Sequence, residues 1–422
     1  MSDVLRLGIA GLGTVGVGVI KLVANNADTL TARAGSAVAV SAVSARSKSK
    51  DRGVDLSPYA WEDDAVSLAA RDDVDVYVEL IGGDSGMAYD SVVKALTLGK
   101  TVVTANKALV AVHGVELTQL VEKHGGKLYY EAAVAGGIPA IKMVREGLAA
   151  NEISSVYGIL NGTCNYILTE MEANKRSFDD VLQGAIDLGY AEAEPSVDVD
   201  GWDAAHKLAI LAAISFGGAP DMAKLDVSGI RQVTLESIEM ADELGYKIKL
   251  LGVASVGEKP FVAACAVPKT SSIAGVDSSF NAVVINGDPV DEVMIRGRGA
   301  GEGPTASAVV ADIVDIARGI SPPLFGGTPM ASVTGNVAPM AKQMVLFQVQ
   351  DEAGVMAAIS EGLSQSGLSV ESMLQRANDN GSADVLIVTH PAIADAVKCA
   401  ETSFQGKSFL KAAPLFMRVI AS

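Results

Sequence analysis

Short apolar runs bounded by glycine and polar residues punctuate the first third of the chain, and segments with helical spacing separate them. VLRLGIA (4–10) predicts a buried strand, GLGTVGVG a glycine turn, and VIKLVANNADTL a helix. Further strands are predicted at AVAVSAVSA (37–45), VDVYVELIGG (74–83) and GKTVVTANK (99–107), with the helix YDSVVKALTLG between the last two. VELTQLVEKHGGKLYYEAAVAGGIP then reads as helix, strand and glycine-rich loop. Strands alternating with helices in this way predict the α/β class: a Rossmann-type, doubly wound nucleotide-binding domain over residues 1–137.

From Ile138 the pattern changes. Longer helices (141–150, 177–188, 203–216, 234–245) mix with strand-like runs (153–160, 247–254, 260–267), which predicts an α+β domain over 138–319. The helical ASAVVADIVDIARG is expected to return and complete the first domain with a helix over about 302–320. ISPPLFGGTPMASVTGN is a linker by composition, placed at 320–340. Beyond it, QMVLFQVQ, GVMAAISEGLSQSG, LSVESMLQR, SADVLIVTH, AIADAVKCAET and FLKAAPLFMRV read as β-α-β-β-α-β, a ferredoxin-like module over 341–422.

Charge and composition narrow the functional classes. A formal net charge of −17 with no basic stripe argues against nucleic acid. The longest apolar runs, such as Leu208–Phe216, are about half the length that spans a bilayer, so no membrane span is expected. The first residues enter a strand without a signal-peptide pattern, and a cytoplasmic enzyme is expected. Cys164, Cys265 and Cys399 are too scattered for a disulfide framework, and His113, His124, His206 and His390 form no zinc motif.

Gly11, Gly13 and Gly16 match G-x-G-x-x-G between the first strand and first helix. There the first glycine permits the turn, the second lets the backbone approach a pyrophosphate and the third allows close helix packing. Selectivity between the two nicotinamide cofactors is read at the end of the second strand. That strand ends SARSKSK, so Arg46, Lys48 and Lys50 stand where an acid would hold a ribose hydroxyl, with Ser44 and Ser47 as added donors. NADP(H) is therefore expected over NAD(H), against the plainer reading of a solvated basic loop.

EAEPSVDVDGWDAAHKLAILAAI (192–214) puts Glu192, Glu194, Asp198, Asp200 and Asp203 ahead of Lys207 and an apolar run. Asp203 and Lys207 share a helix face, which alone would be a surface ion pair of a few tenths of a kcal/mol. With Asp198 and Asp200 ahead of the helix and Gly201 freeing the turn, the lysine reads instead as a positioned proton carrier, and the acids as a site for a substrate ammonium.

Residues 185–207 resemble the homoserine dehydrogenase signature, with Ala185, Gly189, Pro195, Asp198, Gly201, Asp203 and Lys207 at the family's spacing and Glu194 departing from it. GLGTVG (11–16), TANK (104–107), EAAVAGGIP (131–139), NGTCNYIL (161–168) and GRGAGEGPTASAV (297–309) are similar to family segments in family order. FQVQDEAGVMAAI resembles the start of an ACT domain, with Asp351 and Gly354 at the turn and Ala353 where proline is common.

The resemblance implies reversible reduction of L-aspartate-4-semialdehyde to L-homoserine. It implies Lys207 as proton donor, Lys107 as its assistant at the carbonyl or cofactor, and Asp198 and Asp203 as orienting acids. Glu192 would meet the substrate ammonium, and Gly162 and Thr163 would lie near the substrate. Thr14, Val15, Thr104, Gly301 and Gly303 join the implied cofactor set. Carbonyls of Glu131, Val134, Gly136 and Ile138 would hold sodium or another monovalent cation. Threonine is the implied effector near Asp351 and Gly354, and the implied assembly is a homodimer through the central domain, extended to a tetramer by ACT pairing. No kinase-like extension is expected. Two other readings differ in their chemistry. A semialdehyde-type aldehyde dehydrogenase needs an activated thiolate, for which Cys164 is the candidate, and a nucleotide-sensing regulator needs no lysine among acids.

Overall fold

The computed structural model describes residues 4–325 and 340–420, so positions 326–339 of the expected linker lie outside the described residues. The chain forms two compact units, Met1–Val156 with Ala205–Leu225 and Asn281–Ala331, and Tyr157–Ala204 with Asp226–Phe280 and Ser332–Ser422.

The first unit is built on strands β1 (Leu5–Ala10), β2 (Val38–Ser44), β3 (Ala60–Glu62), β4 (Val76–Glu79), β5 (Thr101–Thr104) and β6 (Lys127–Tyr129). They form one sheet in the order β3-β2-β1-β4-β5-β6, and each neighbouring pair is parallel. The order reverses beside β1, and in such sheets ligands bind outside the carboxyl ends of the strands at that switch point. Helix Glu302–Ala317 packs in this unit: Ala306, Val309, Val310 and Ile313 share one core with Leu7, Ile9, Val19 and Val43. Gly18 makes room for it, since a Cβ there would lie 2.7 Å from Glu302 Cγ.

The helix expected over 141–150 runs from Ala140 to Gly147, α-helical over Ala140–Lys142 and π-helical over Met143–Gly147, where Leu148 N–H donates to the Met143 carbonyl at 2.8 Å. Strands Phe280–Asp288 and Asp291–Arg298 and helix Gly162–Asn174 are further elements that the periodicity did not predict.

In the second unit Tyr246–Ser255 and Phe261–Pro268 form an antiparallel pair, with Asp226–Val227 parallel to the latter. Its C-terminal part is an antiparallel sheet in the order Val370–Ala377, Ser382–Thr389, Gln343–Gln350, Leu415–Arg418. Helices Val355–Gln365 and Ala394–Phe404 bury Ile359, Leu363, Ala400 and Phe404 against Phe347, Val385 and Ile387 of that sheet. This module is fastened to the 226–280 segment. Ile420 N–H donates to the Ala266 carbonyl at 2.9 Å, Arg418 pairs with Glu258 at 2.7 Å, and Arg376 pairs with Glu239 and Glu243. No described helix is long and apolar enough to cross a membrane.

Candidate active site

The glycine turn fits a dinucleotide. A Cβ on Gly11 would lie 2.4 Å from the Leu80 carbonyl oxygen and one on Gly16 2.0 Å from that of Gly11, so both positions exclude a side chain. A Cβ on Gly13 would meet nothing within 4 Å, which leaves open space above the turn. Helix Thr14–Asn25 begins there without a side-chain cap, and Thr14 is exposed and Val15 half-buried in its first turn. Uncapped N–H groups facing open space suit a pyrophosphate. Arg46 and Lys48 are exposed on the loop after β2. Gly301, at φ +119°, precedes helix Glu302–Ala317, and Gly303 lies in its first turn.

The ends of β4 and β5 are organised by Glu79, an acid that the apolar strand pattern hid. Its fully buried carboxylate accepts N–H bonds from Ile81 at 2.7 Å and Gly82 at 3.0 Å, and the Thr104 hydroxyl also donates to it. Burial raises the pKa of Glu79, and those hydrogen bonds oppose the rise. Thr104 also accepts from Asn106 N–H, so its hydroxyl is committed within the protein and only its backbone could serve a cofactor. The Asn106 side chain donates to the Gly83 carbonyl at 2.6 Å and caps helix Lys107–His124 through Leu109 N–H. Lys107 is thereby fixed as the first helical residue, half-buried at the carboxyl end of β5.

Among the described residues Asp198 and Asp203 converge on Asn161, while Asp200 and Glu194 are joined through Arg231 and Ser196. Asn161, 3% exposed, donates through Nδ2 to Asp198 Oδ1 at 2.7 Å and Asp203 Oδ2 at 2.8 Å. Its Oδ1 accepts Cys164 N–H at 2.7 Å and caps helix Gly162–Asn174. Asp200 instead pairs with Arg231, Glu194 accepts from Ser196, and Glu192 is exposed. Gly162 and Thr163 lie in the first turn of the capped helix, and the Thr163 hydroxyl donates to the Tyr190 carbonyl at 3.0 Å. Helix Trp202–Phe216 carries Asp203 and, one turn on, Lys207, which is 9% exposed among fully buried Ala205, Leu208 and Leu211. Asp203 belongs to the second unit and Lys207 to the first. The NGT stretch (161–163) is expected near the substrate through its backbone, but the role of the Asn161 side chain is not legible in the sequence because its partners are 37 and 42 positions away.

The models of two families match the chain: "Homoserine dehydrogenase, NAD binding domain" over residues 11–131 and "Homoserine dehydrogenase" over 139–314. The chain belongs to the homoserine dehydrogenase family. It is 41% identical to the homoserine dehydrogenase of Neisseria gonorrhoeae, covering 94% of each chain. The homoserine dehydrogenase structure from Thiobacillus denitrificans matches with a TM-score of 0.90 at 37% identity, over 100% of this chain and 99% of that one. A hyperthermophilic archaeal homoserine dehydrogenase in complex with NADPH matches with a TM-score of 0.63 at 26% identity, over 74% of this chain and 97% of that one.

This homoserine dehydrogenase is an oxidoreductase that interconverts L-homoserine and L-aspartate-4-semialdehyde with a nicotinamide cofactor. Cys164 does not suit the thiolate chemistry of the other enzyme reading: its sulfur is buried and donates to the Asp198 carbonyl at 3.2 Å.

The 131–139 loop is held by a buried acid. Glu131 accepts N–H bonds from Ile141 at 3.0 Å and Lys142 at 2.9 Å, while its own N–H donates to Asp312 at 2.9 Å. Ala135 and Gly136 follow at φ +56° and +51°, Gly136 against the Gly299 carbonyl. The Glu131 carbonyl accepts from Val134 N–H and the Ile138 carbonyl from Ala140 N–H, each retaining a second lone pair. Val134 and Ile138 are buried. Among the described residues no three His, Cys, Asp or Glu side chains gather as metal ligands, so a cation here would rest on carbonyls.

Burial, and then the neighbouring Asp312 charge, push the Glu131 carboxyl up to about 8. A raised folded pKa stabilises fully below the ordinary value of 4.5, and that contribution is lost as pH rises through about 8. The loss is on the order of a few kcal/mol. The unfolding midpoint of the parent is expected to fall between about pH 4.5 and 8, and Glu131→Gln to flatten that slope in calorimetric scans. Equal slopes would show that the loop ionises without cost.

Proposed function

We propose that this homoserine dehydrogenase prefers NADP(H) and that Lys207 exchanges the proton of the reacting oxygen. The supporting observation is a nearly buried lysine on an apolar helix, one turn after an acid held by Asn161. A bound nicotinamide would supply the hydride in one direction and accept it in the other. As negative charge builds on the aldehyde oxygen, the Lys207 ammonium donates its proton, and in the reverse direction the neutral amine takes it from the alcohol. Lys107 polarises the carbonyl from the cofactor side. Asp198 and Asp203 orient the lysine and water, Glu192 meets the substrate ammonium, and the backbone of Gly162 and Thr163 lines the substrate.

The basic loop at Arg46 and Lys48 supports the preference for a 2′-phosphate, and the NADPH complex of the archaeal relative supports the cofactor class. Thr14, Val15, Gly301 and Gly303 complete the cradle with the backbone of Thr104. Sodium would sit on the carbonyls of Glu131, Val134, Gly136 and Ile138.

The domains would be the Rossmann domain 1–137 with its returning helix, a catalytic and dimerising domain 138–319, the linker 320–340 and a ferredoxin-like ACT module 341–422. The strand order of the C-terminal sheet supports that module. Gly354, at φ +93°, opens helix Val355–Gln365 beside Asp351, where threonine would bind as feedback effector. The assembly would be a cytoplasmic homodimer, with module pairing extending it to a tetramer.

Initial rates of homoserine oxidation at 340 nm test this reading. We expect kcat/KM at least about tenfold higher with NADP+ than with NAD+, and inhibition by threonine that Asp351→Ala removes. A preference for NAD+ would overturn the cofactor assignment; threonine insensitivity of the parent would overturn the regulatory one.

A further inference from the structure

Arg52 closes the basic run ARSKSKDR, and its guanidinium is spent on three backbone carbonyls. Nε donates to Leu12 O at 3.1 Å, Nη1 to Lys50 O at 2.8 Å and Nη2 to Ser47 O at 2.6 Å. Leu12 lies inside the glycine turn, between Gly11 and Gly13, while Ser47 and Lys50 flank Lys48. One planar fork thus joins the pyrophosphate turn to the loop that carries Arg46 and Lys48.

Beneath it lies Trp61 of β3. The Arg52 guanidinium carbon and Lys48 Nζ each stand 5.9 Å from its ring centroid. The indole is itself fixed: Trp61 pairs in register with Val43 of β2, and its ring N–H donates to Asp63 at 3.1 Å.

We propose that Arg52 is a positioning residue for cofactor selectivity: with Trp61 as its floor, it holds the 46–50 loop in the shape that receives the 2′-phosphate. The inference rests on the NADP(H) reading above. A dianionic phosphate on the ribose needs Arg46 and Lys48 at fixed places, and residues 46–50 form no helix or strand that would fix them. A loop ordered before binding does not have to be ordered by the ligand, and that difference appears as affinity. The charge of Arg52 is not the essential property. A lysine has no planar fork and could not reach three carbonyls at once.

Trp61 and Trp202 are the two tryptophans of the chain, so a Trp202→Phe background leaves Trp61 as a fluorescent reporter at the loop. Titration with 2′-AMP and with 5′-AMP in that background reads the phosphate site without turnover. With Arg52 intact, 2′-AMP is expected to bind about tenfold more tightly than 5′-AMP. Arg52→Met keeps the stem over Trp61 and removes the fork, whereas Arg52→Lys also keeps the charge. Both are expected to weaken 2′-AMP about tenfold and to raise the KM for NADPH alike, with the KM for NADH within about twofold.

Parental 2′-AMP affinity in either variant, or equal weakening of both nucleotides, would overturn the inference. Should Arg52→Met fail to fold, Arg52→Lys decides. If the background protein binds 2′-AMP no better than 5′-AMP, the NADP(H) reading fails before any change at Arg52, and the inference falls with it.

Discussion

Lys207→Met is expected to lower kcat by about 10²- to 10⁴-fold, the range lost with a general acid–base group. Methionine keeps the length and apolar contacts of the stem and removes only the ammonium. The surroundings accept that stem, because Lys207 is flanked on helix Trp202–Phe216 by buried Ala204, Ala205, Leu208 and Leu211. Removing one buried charge leaves its partners uncompensated and destabilises the fold, so kcat is compared only on protein whose thermal midpoint shows it folded at the assay temperature. NADPH affinity, read by fluorescence, is expected to stay within about threefold because the groups assigned to the phosphates lie elsewhere. Lys207→Arg should also fail in homoserine oxidation, since a guanidinium stays protonated and cannot take the alcohol proton. A Lys207→Met enzyme with more than about a tenth of parental kcat would remove the proton step from this residue.

The parts of the fold set by local pattern were legible. The strand and helix periods of the parallel sheet around G-x-G-x-x-G depend on residues adjacent in the chain. What escaped was set by long-range hydrogen bonds. Helix Gly162–Asn174 opens with NGTCN, a polar turn without helical spacing, and its start is fixed by the Asn161 cap. The expected helix over 141–150 becomes π-helical after the Ile141 and Lys142 amides held by Glu131.

The acid cluster taught the same lesson. Five neighbouring carboxylates looked like one site, yet Arg231 draws Asp200 aside and Ser196 occupies Glu194. Arg52 was hidden for the opposite reason: within a run of basic residues nothing in the sequence marks which one faces the backbone.

Asn161→Asp separates the cap from the clamp. The aspartate still accepts the Cys164 N–H, so helix Gly162–Asn174 keeps its start, but both donors to Asp198 and Asp203 disappear. Three carboxylates then face one another in a buried space, where like charges a few ångströms apart repel by about 4 kcal/mol at an effective dielectric of 20. That repulsion favours a shared proton, which moves the acidic limb of the kcat profile upward. A fall in kcat of about 10²-fold is expected, recovered in part at alkaline pH where the shared proton leaves. Asn161→Ser caps the helix without reaching both acids and should lower kcat while leaving the limb nearer its parental place. Adding Asp198→Asn to Asn161→Asp returns an amide donor to the cluster and the original number of charges, so the limb should move back. A role confined to capping predicts lower thermal stability with an unmoved profile, and a parental profile in Asn161→Asp would show that Asp198 and Asp203 do not govern the proton step.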